Sequence, residues 1–211
     1  MNALLENMSE KLQQGNLPEV VKLAEQAVAE GMGPSEILEG LLHGMSIIGG
    51  KFKRNEVFVP EVLIAARAMN GGLDVIKPLL ADEGIEPVGK VVLGTVKGDL
   101  HDIGKNLVKM MLVGAGLEVI DLGVDVSPDK YITAIEENNP DIVAMSALLT
   151  TTMPNMKLVV EALEEKGIRD QVKVMIGGAP VTNEYAEEIG ADSYTPDAAT
   201  AAEVAREFVT N

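Results

Sequence analysis

The chain changes its hydrophobic period once. Up to about residue 80 the apolar side chains recur three and four positions apart, and beyond about residue 90 they gather in short runs between helical stretches. In "LPEVVKLAEQAVAEG" Val20, Leu23, Ala24 and Ala27 share one helical face, and Gly31 stops the run. "GPSEILEGLLHGMSIIGGKF" places Ser35 at a cap position ahead of Ile37, Leu38, Leu41, Leu42, Met45 and Ile48. "VPEVLIAARAMNGGLDVIKPLL" opens with Pro60 in the first turn, where a missing N–H costs nothing, and continues through Leu63, Ile64, Ala66 and Met69. With a first helix over about residues 2–14, the pattern predicts four helices joined by short Gly- or Pro-marked turns, a small four-helix bundle.

"ADEGIEPVGK" (81–90) is polar and carries Gly84, Pro87 and Gly89, which marks a linker. After it, "KVVLGTV", "EVIDLGV", "DIVAMSALL", "VKVMIGGA" and "ADSYTP" read as strands. Between and after them, "GKNLVKMMLVGAG", "SPDKYITAIEENN", "MPNMKLVVEALEEKG", "NEYAEEIG" and "DAATAAEVAREFV" read as helices. The alternation predicts an α/β fold with a parallel five-stranded sheet flanked by helices on both faces. The domain reading is a helical domain over 1–83, a linker over 84–90 and a sheet domain over 91–211.

Charge and composition then narrow the function. The formal net charge is -16, and a surface this acidic repels nucleic acid and anionic membrane but suits a basic protein partner. No cysteine is present, which removes disulfides, thiolate metal sites and cysteine nucleophiles. No run approaches the roughly 18 apolar residues of a membrane span, and the N-terminus has no basic region leading into an apolar core. The expected location is the cytoplasm.

In an open α/β sheet, ligands bind beyond the carboxyl ends of the strands. The loops there run Lys97-Gly98-Asp99-Leu100-His101-Asp102-Ile103-Gly104, then Gly123-Val124-Asp125, then Ser146 to Thr152, then Gly177 to Thr182, then Thr195-Pro196-Asp197. Gly98 to Gly104 is one residue too long for a P-loop, and Lys105 is followed by Asn106 rather than Ser or Thr. No G-x-G-x-x-G opens the first helix of the sheet domain, and Ser146 stands where a phospho-acceptor domain has its aspartate. Ser146 or Thr152 with His101 and Asp99 has the residue types of a hydrolytic triad, yet no G-x-S-x-G elbow surrounds Ser146. One histidine without a cysteine or second histidine nearby cannot build an ordinary zinc site. It suffices for a metal that arrives already held by a macrocycle, and Asp99 then has the task of fixing the imidazole tautomer. On spacing alone a second reading stays open: His101 only completes the loop, and Asp102 caps a helix starting near Ile103.

"GDLHDIGKNLV" resembles the D-x-H-x-x-G signature of cobalamin-binding domains, with Asp99, His101 and Gly104 in the defining positions. The family's S-x-L segment is matched by Ser146-Ala147-Leu148 and its glycine pair by Gly177-Gly178, in family order. "FVPEVLIAARAMNGGLDVIKPLL" is similar to the helical cap of methionine synthase and of corrinoid methyl-carrier proteins. The resemblance implies a Rossmann-like or flavodoxin-like sheet behind a four-helix cap. It implies a cobalamin or related corrinoid, as methylcobalamin, cob(I)alamin or cob(II)alamin, bound base-off and His-on. His101 would be the lower axial ligand of cobalt and Asp99 its hydrogen-bond partner. Thr152 stands where methionine synthase has a serine ending this relay. The cofactor site would draw on Gly98, Asp99, His101, Asp102, Ile103, Gly104, Ser146, Leu148, Thr150, Thr152, Gly177 and Gly178. Gly94, Ser146, Gly177 and Gly178 would leave room for the displaced nucleotide tail. The cap would cover the methyl-bearing face, with Phe58 shielding the methyl and Val62 or a neighbour helping. The implied protein has no catalysis of its own: it carries methyl between a donor-specific methyltransferase (methylamine, methoxyaromatic, betaine or methanol) and one acting on tetrahydrofolate or a thiol. A reductive activating protein would be a third partner. The alternative is a cobalamin-dependent sensor. His43, on a predicted helix, is expected to be structural or exposed.

Overall fold

A computed structural model describes residues 2–210. It falls into two compact units. One comprises the chain up to Pro87 with Gly114–Gly116; the other comprises Val88–Val113 and the chain from Leu117.

The helical unit holds α1 (Ala3–Gln13), α2 (Leu17–Ala29), α3 (Pro34–Lys53) and α4 (Val59–Asp82). The Asn2 and Asn16 side chains accept hydrogen bonds from the N–H groups of Leu4 and Glu19 and so start α1 and α2. Helix α3 begins one residue before the expected cap. Pro34, with φ already helical and no N–H to lose, is its first residue, Gly33 precedes it, and Ser35 lies inside the first turn. At the start of α4 the Phe58 N–H donates to the Glu61 carboxylate at 3.0 Å. The core is built from Leu5, Met8 and Leu12, from Val20, Leu23, Ala24 and Ala27, from Ile37, Leu41, Met45 and Ile48, and from Val62, Ala65, Met69 and Ile76. Leu63 and Ile64, expected in that core, are exposed. The buried stripe of α4 runs one position earlier, through Val62. Helix α1 packs against α2 and α3, and α4 against the same two.

The sheet unit holds β1 (Lys90–Thr95), α5 (Ile103–Gly114), β2 (Glu118–Asp121), α6 (Pro128–Asn138), β3 (Ile142–Ser146), α7 (Pro154–Glu165), β4 (Lys173–Gly177), α8 (Asn183–Ile189), β5 (Ser193–Tyr194) and α9 (Ala198–Thr210). The strand order is β2-β1-β3-β4-β5, and every pairing is parallel. Val92, Val143 and Val174 are in register across three strands. They lie in one cluster with Tyr131, Ile135, Met156, Val159 and Leu163 from α6 and α7. Side chains alternate between faces along a strand. The row Thr95, Ser146 and Gly177, also in register, therefore lies on the opposite face at the carboxyl end. No helix among the described residues is long and apolar enough to cross a membrane.

Gly94 does not leave room for a ligand. It lies on the Val92 side of the sheet only as a neighbour of Tyr131: a Cβ there would come 2.7 Å from the Tyr131 hydroxyl oxygen. Tyr131 is fully buried, and its hydroxyl is the one buried side-chain group without a hydrogen-bond partner among the described residues. Burial, and secondarily the Asp121 charge, pushes its pKa far above the ordinary phenol value. Tyr131→Phe removes an unsatisfied polar atom and is expected to raise stability by about 1 kcal/mol. Gly94→Ala is expected to destabilise, and less so in the Tyr131→Phe background. Urea unfolding of the four proteins checks this; a less stable Tyr131→Phe contradicts it.

Candidate functional site

The site grows out of one turn. After β1 the Asp99 N–H donates to the Val96 carbonyl at 3.1 Å, and Gly98 sits at φ 80 while Lys97 keeps a negative φ. That is a type II turn, whose third position favours glycine because a Cβ is strained there. The turn delivers Asp99 into the interior, where its side chain is buried. One carboxylate oxygen meets the His101 N–H at 3.1 Å and the His101 Nδ1 at 2.7 Å. The other accepts the Leu148 N–H at 2.8 Å, the Leu149 N–H at 3.3 Å and the Thr152 hydroxyl at 2.7 Å. The His101 carbonyl is held in turn by the Thr95 hydroxyl at 3.0 Å.

Burial is the largest influence on Asp99 and works against its ionised form. The hydrogen bonds from Thr152, Leu148 and His101 together outweigh it and hold the carboxyl well below the ordinary carboxylate range. An ionised Asp99 can only accept, so His101 Nδ1 carries the proton and Nε2 the lone pair. The imidazole is 51% exposed, so this lone pair belongs to a ring that a ligand can reach. Thr152 has one proton for two acceptors, Asp99 at 2.7 Å and the Leu149 carbonyl at 2.9 Å.

The depressed pKa has a consequence for folding. A carboxyl that is more acidic folded than unfolded stabilises fully above its unfolded pKa of about 4, and that contribution shrinks as pH falls toward the folded value. Stability measured by urea unfolding is therefore expected to drop as pH falls below about 4. The drop is expected to be shallower in Asp99→Asn, which should also be less stable at neutral pH by about 1–3 kcal/mol. Equal acid slopes in the two proteins contradict this.

Around the imidazole stand large apolar side chains. Leu100 is 71% and Ile103 78% exposed, and Leu148 and Leu149 are exposed as well. Ser146 and Gly177 are part-buried on the strand-end row, and Thr150 is exposed beyond it. Gly178, at φ 130, is required by a close crossing: a Cβ there would run into the Ala147 carbonyl. Gly104 has open space around it. Asp102 precedes α5, and its carbonyl accepts the Asn106 N–H at 2.7 Å. Its carboxylate, however, bonds the Asn106 side chain rather than a backbone N–H. In the helical unit Val62, expected beside the methyl, is fully buried and offers no surface to a ligand, whereas Phe58 is 63% exposed. His43 is exposed on α3.

Four contributors were not singled out from the sequence. Thr95, inside the predicted strand "KVVLGTV", donates its hydroxyl to the His101 carbonyl. Asp125, left-handed at φ 54, accepts the Gly98 N–H at 2.7 Å. Asn155 donates to the Lys97 carbonyl at 3.0 Å. Asp121 binds the buried Lys105 at 2.5 Å and Lys109 at 3.2 Å, tying the first half of α5 to β2. Its carboxyl is thereby lowered in pKa despite partial burial. Their partners are backbone groups of the loop after β1 for Thr95, Asp125 and Asn155, and α5 lysines for Asp121.

Among the described residues no group of three or more His, Asp or Glu could hold a bare metal ion. One imidazole with its tautomer fixed, a rim of apolar side chains and a strand-end row of small residues suit a metal that brings its own large, flat chelate.

Two family models, each described as a B12 binding domain, match the chain over residues 89–205 and 4–77. The trimethylamine corrinoid protein 1 of Methanosarcina acetivorans is 48% identical over 176 residues, 82% of each chain. The dimethylamine corrinoid protein of Methanosarcina barkeri is 42% identical over 208 residues, 98% of this chain and 97% of the relative. Among solved structures, the methanol:cobalamin methyltransferase complex MtaBC from Methanosarcina barkeri superposes with a TM-score of 0.89 at 29% identity, covering 100% of this chain and 81% of the other. A cobalamin-binding protein from Desulfitobacterium hafniense superposes with a TM-score of 0.80 at 30% identity, covering 97% and 98%.

Proposed function

The chain belongs to the B12-binding domain family, and we propose that it carries a methyl group on a bound corrinoid between two methyltransferases, without catalysis of its own. The observation that carries this reading is His101: its Nδ1 is committed to buried Asp99 at 2.7 Å, and its ring is half exposed among Leu100, Ile103, Leu148 and Leu149. Bound, the corrinoid supplies a cobalt that takes up and gives up the methyl group.

The chain's own residues hold and tune that group. His101 would hold the cobalt through its Nε2 lone pair. Asp99 keeps the proton on Nδ1 and makes the imidazole a better donor. Should that proton move onto Asp99, the Thr152 hydroxyl has the Leu149 carbonyl at 2.9 Å as its other acceptor, so the relay can shift a proton without an orphaned group. Small side chains at Ser146 and Gly177, with Thr150 beyond them, would leave space for the displaced nucleotide tail, and Gly178 lets the loop pass close to Ala147 there. Gly98, Gly104, Asp102 and Ile103 shape the rim. Phe58, exposed in the helical unit, is assigned to shielding the methyl. Residues 84–90 serve as the linker between residues 1–83 and 91–211.

The names of the methylamine relatives and of the MtaBC complex support methylated amines or methanol as donors and a methyltransferase as partner. The acceptor enzyme, acting on tetrahydrofolate or a thiol, and a reductive activator complete the set of partners. With a net charge of -16, the chain suits basic partner faces. The test is retention. One cobalamin per chain is expected to remain bound through ultrafiltration, and a labelled methyl on it is expected to leave only when a methyltransferase and its acceptor are added. A correctly folded chain that retains no cobalamin contradicts the reading.

A further inference from the structure

The Lys97–Gly98 peptide is gripped at both ends. Its N–H donates to the Asp125 carboxylate at 2.7 Å, and its carbonyl accepts from the Asn155 side-chain amide at 3.0 Å. The two side chains come from opposite sides of β1. Asp125 lies in the loop after β2 and Asn155 in the first turn of α7, after β3, and these are β1's two neighbours in the sheet.

This peptide is the central one of the Val96–Asp99 turn. Type I and type II turns differ by a flip of that peptide of about 180°. In the flipped state the Lys97 carbonyl would face the Asp125 carboxylate, and the Gly98 N–H would face the Asn155 amide hydrogens. Both contacts would set like against like. The orientation of the Asn155 amide is fixed by its surroundings, because its Nδ2 meets two carbonyls, Lys97 at 3.0 Å and Thr152 at 3.2 Å, and only the NH₂ end can donate to both. Asp125 adds a second tie, its N–H donating to the Asp99 carbonyl at 3.0 Å. Its left-handed backbone, at φ 54, is one that Asp and Asn adopt more readily than other side chains.

We propose that Asp125 and Asn155 are positioning residues that lock this peptide and, through it, hold the Asp99–His101 pair in the arrangement that readies His101 for ligation. The proposal rests on the reading of His101 as the axial ligand. It predicts that the imidazole loses its fixed tautomer when the lock is reversed, although neither residue touches the ring.

Two substitutions separate the lock from the fold. Asn155→Asp keeps the side-chain shape, and an acid in the first turn of a helix is favourable to the helix, yet it turns a donor into an acceptor facing the Lys97 carbonyl. Asp125→Asn keeps an acceptor for the Gly98 N–H and serves as the conservative control. The apoprotein is labelled with ¹⁵N-histidine and the imidazole signals are recorded at mildly alkaline pH; His43 is the internal reference, and His101→Gln assigns the other ring. Wild type and Asp125→Asn are expected to show His101 as a single Nδ1–H form. Asn155→Asp is expected to lose that signature with the His43 signals and the Tm unchanged, and to lower the ligated-to-unligated ratio of bound methylcobalamin about tenfold. A wild-type His101 signature and ratio in Asn155→Asp overturn the proposal. If the wild-type protein binds no corrinoid while Asn155→Asp still loses the Nδ1–H form, the lock stands and the ligand reading falls.

Discussion

Replacing His101 with alanine is expected to abolish ligation of cobalt by the protein while leaving the fold intact. The chain has two histidines. The other, His43, lies on α3 in the helical unit, so no substitute imidazole stands in the sheet unit. Asp99 loses the Nδ1 contact at 2.7 Å but keeps Thr152, Leu148 and Leu149. The carboxylate therefore remains satisfied, and the half-exposed imidazole removes little buried surface when truncated. A fall in Tm of no more than a few degrees is expected, about what 1 kcal/mol produces in a chain of this size. The visible spectrum of added methylcobalamin should change from a nitrogen-ligated form in wild type to a form without protein nitrogen in the variant. Affinity should fall about 10- to 100-fold or more. If the variant unfolds instead and the wild-type spectrum shows no ligation, His101 is a loop residue and nothing more.

The second large effect is expected at Gly178. Its φ of 130 lies in a region that side chains rarely adopt, and a Cβ would collide with the backbone oxygen of Ala147, which has no flexible end to move. Strain of this kind costs about 1–3 kcal/mol before the collision is counted. Gly178→Ala is thus expected to destabilise by about 3 kcal/mol or more, a fall in apparent Tm of roughly 10 °C. The damage should reach the site. Ala147 precedes Leu148, whose N–H donates to Asp99 at 2.8 Å, so a displaced Ala147 loosens the carboxylate that holds His101. Calorimetry and cobalamin retention check both parts; a Gly178→Ala protein with wild-type Tm and retention contradicts them. Gly177→Ala should be milder, because a Cβ there would meet the Thr195 carbonyl at 3.1 Å, close but not colliding.

The parts of this molecule that are local in the chain could be read from it. The four helices, the five strands and the Asp99–His101–Gly104 spacing each depend on residues within a few positions of one another. What depended on phase or on neighbours across the sheet was harder. Leu63 and Ile64 fit a helical period as well as Val62 does, and only the packed bundle decides that the stripe runs through Val62. Gly94 and Gly177 are both strand glycines near the carboxyl end, yet they lie on opposite faces, and Tyr131 fills the space at Gly94. Asp125 and Asn155 act on backbone groups of a loop far from them in sequence, and Thr95 reaches the loop that follows its own strand, so no spacing rule flags them. Asp125 carried the one available hint, an acidic residue two positions after Gly123 in a strand-end loop.

Nuclear spin tests the central claim, that His101 coordinates the cobalt, most directly. Protein labelled with ¹⁵N-histidine is loaded with unlabelled cobalamin, reduced to the cobalt(II) state and examined by electron paramagnetic resonance. If His101 is the ligand, the nitrogen splitting of the cobalt signal changes from the triplet pattern of ¹⁴N to the doublet pattern of ¹⁵N, and it disappears in His101→Ala. A splitting that stays a triplet in the labelled protein means that the cofactor's own base still holds the metal, and it contradicts the account.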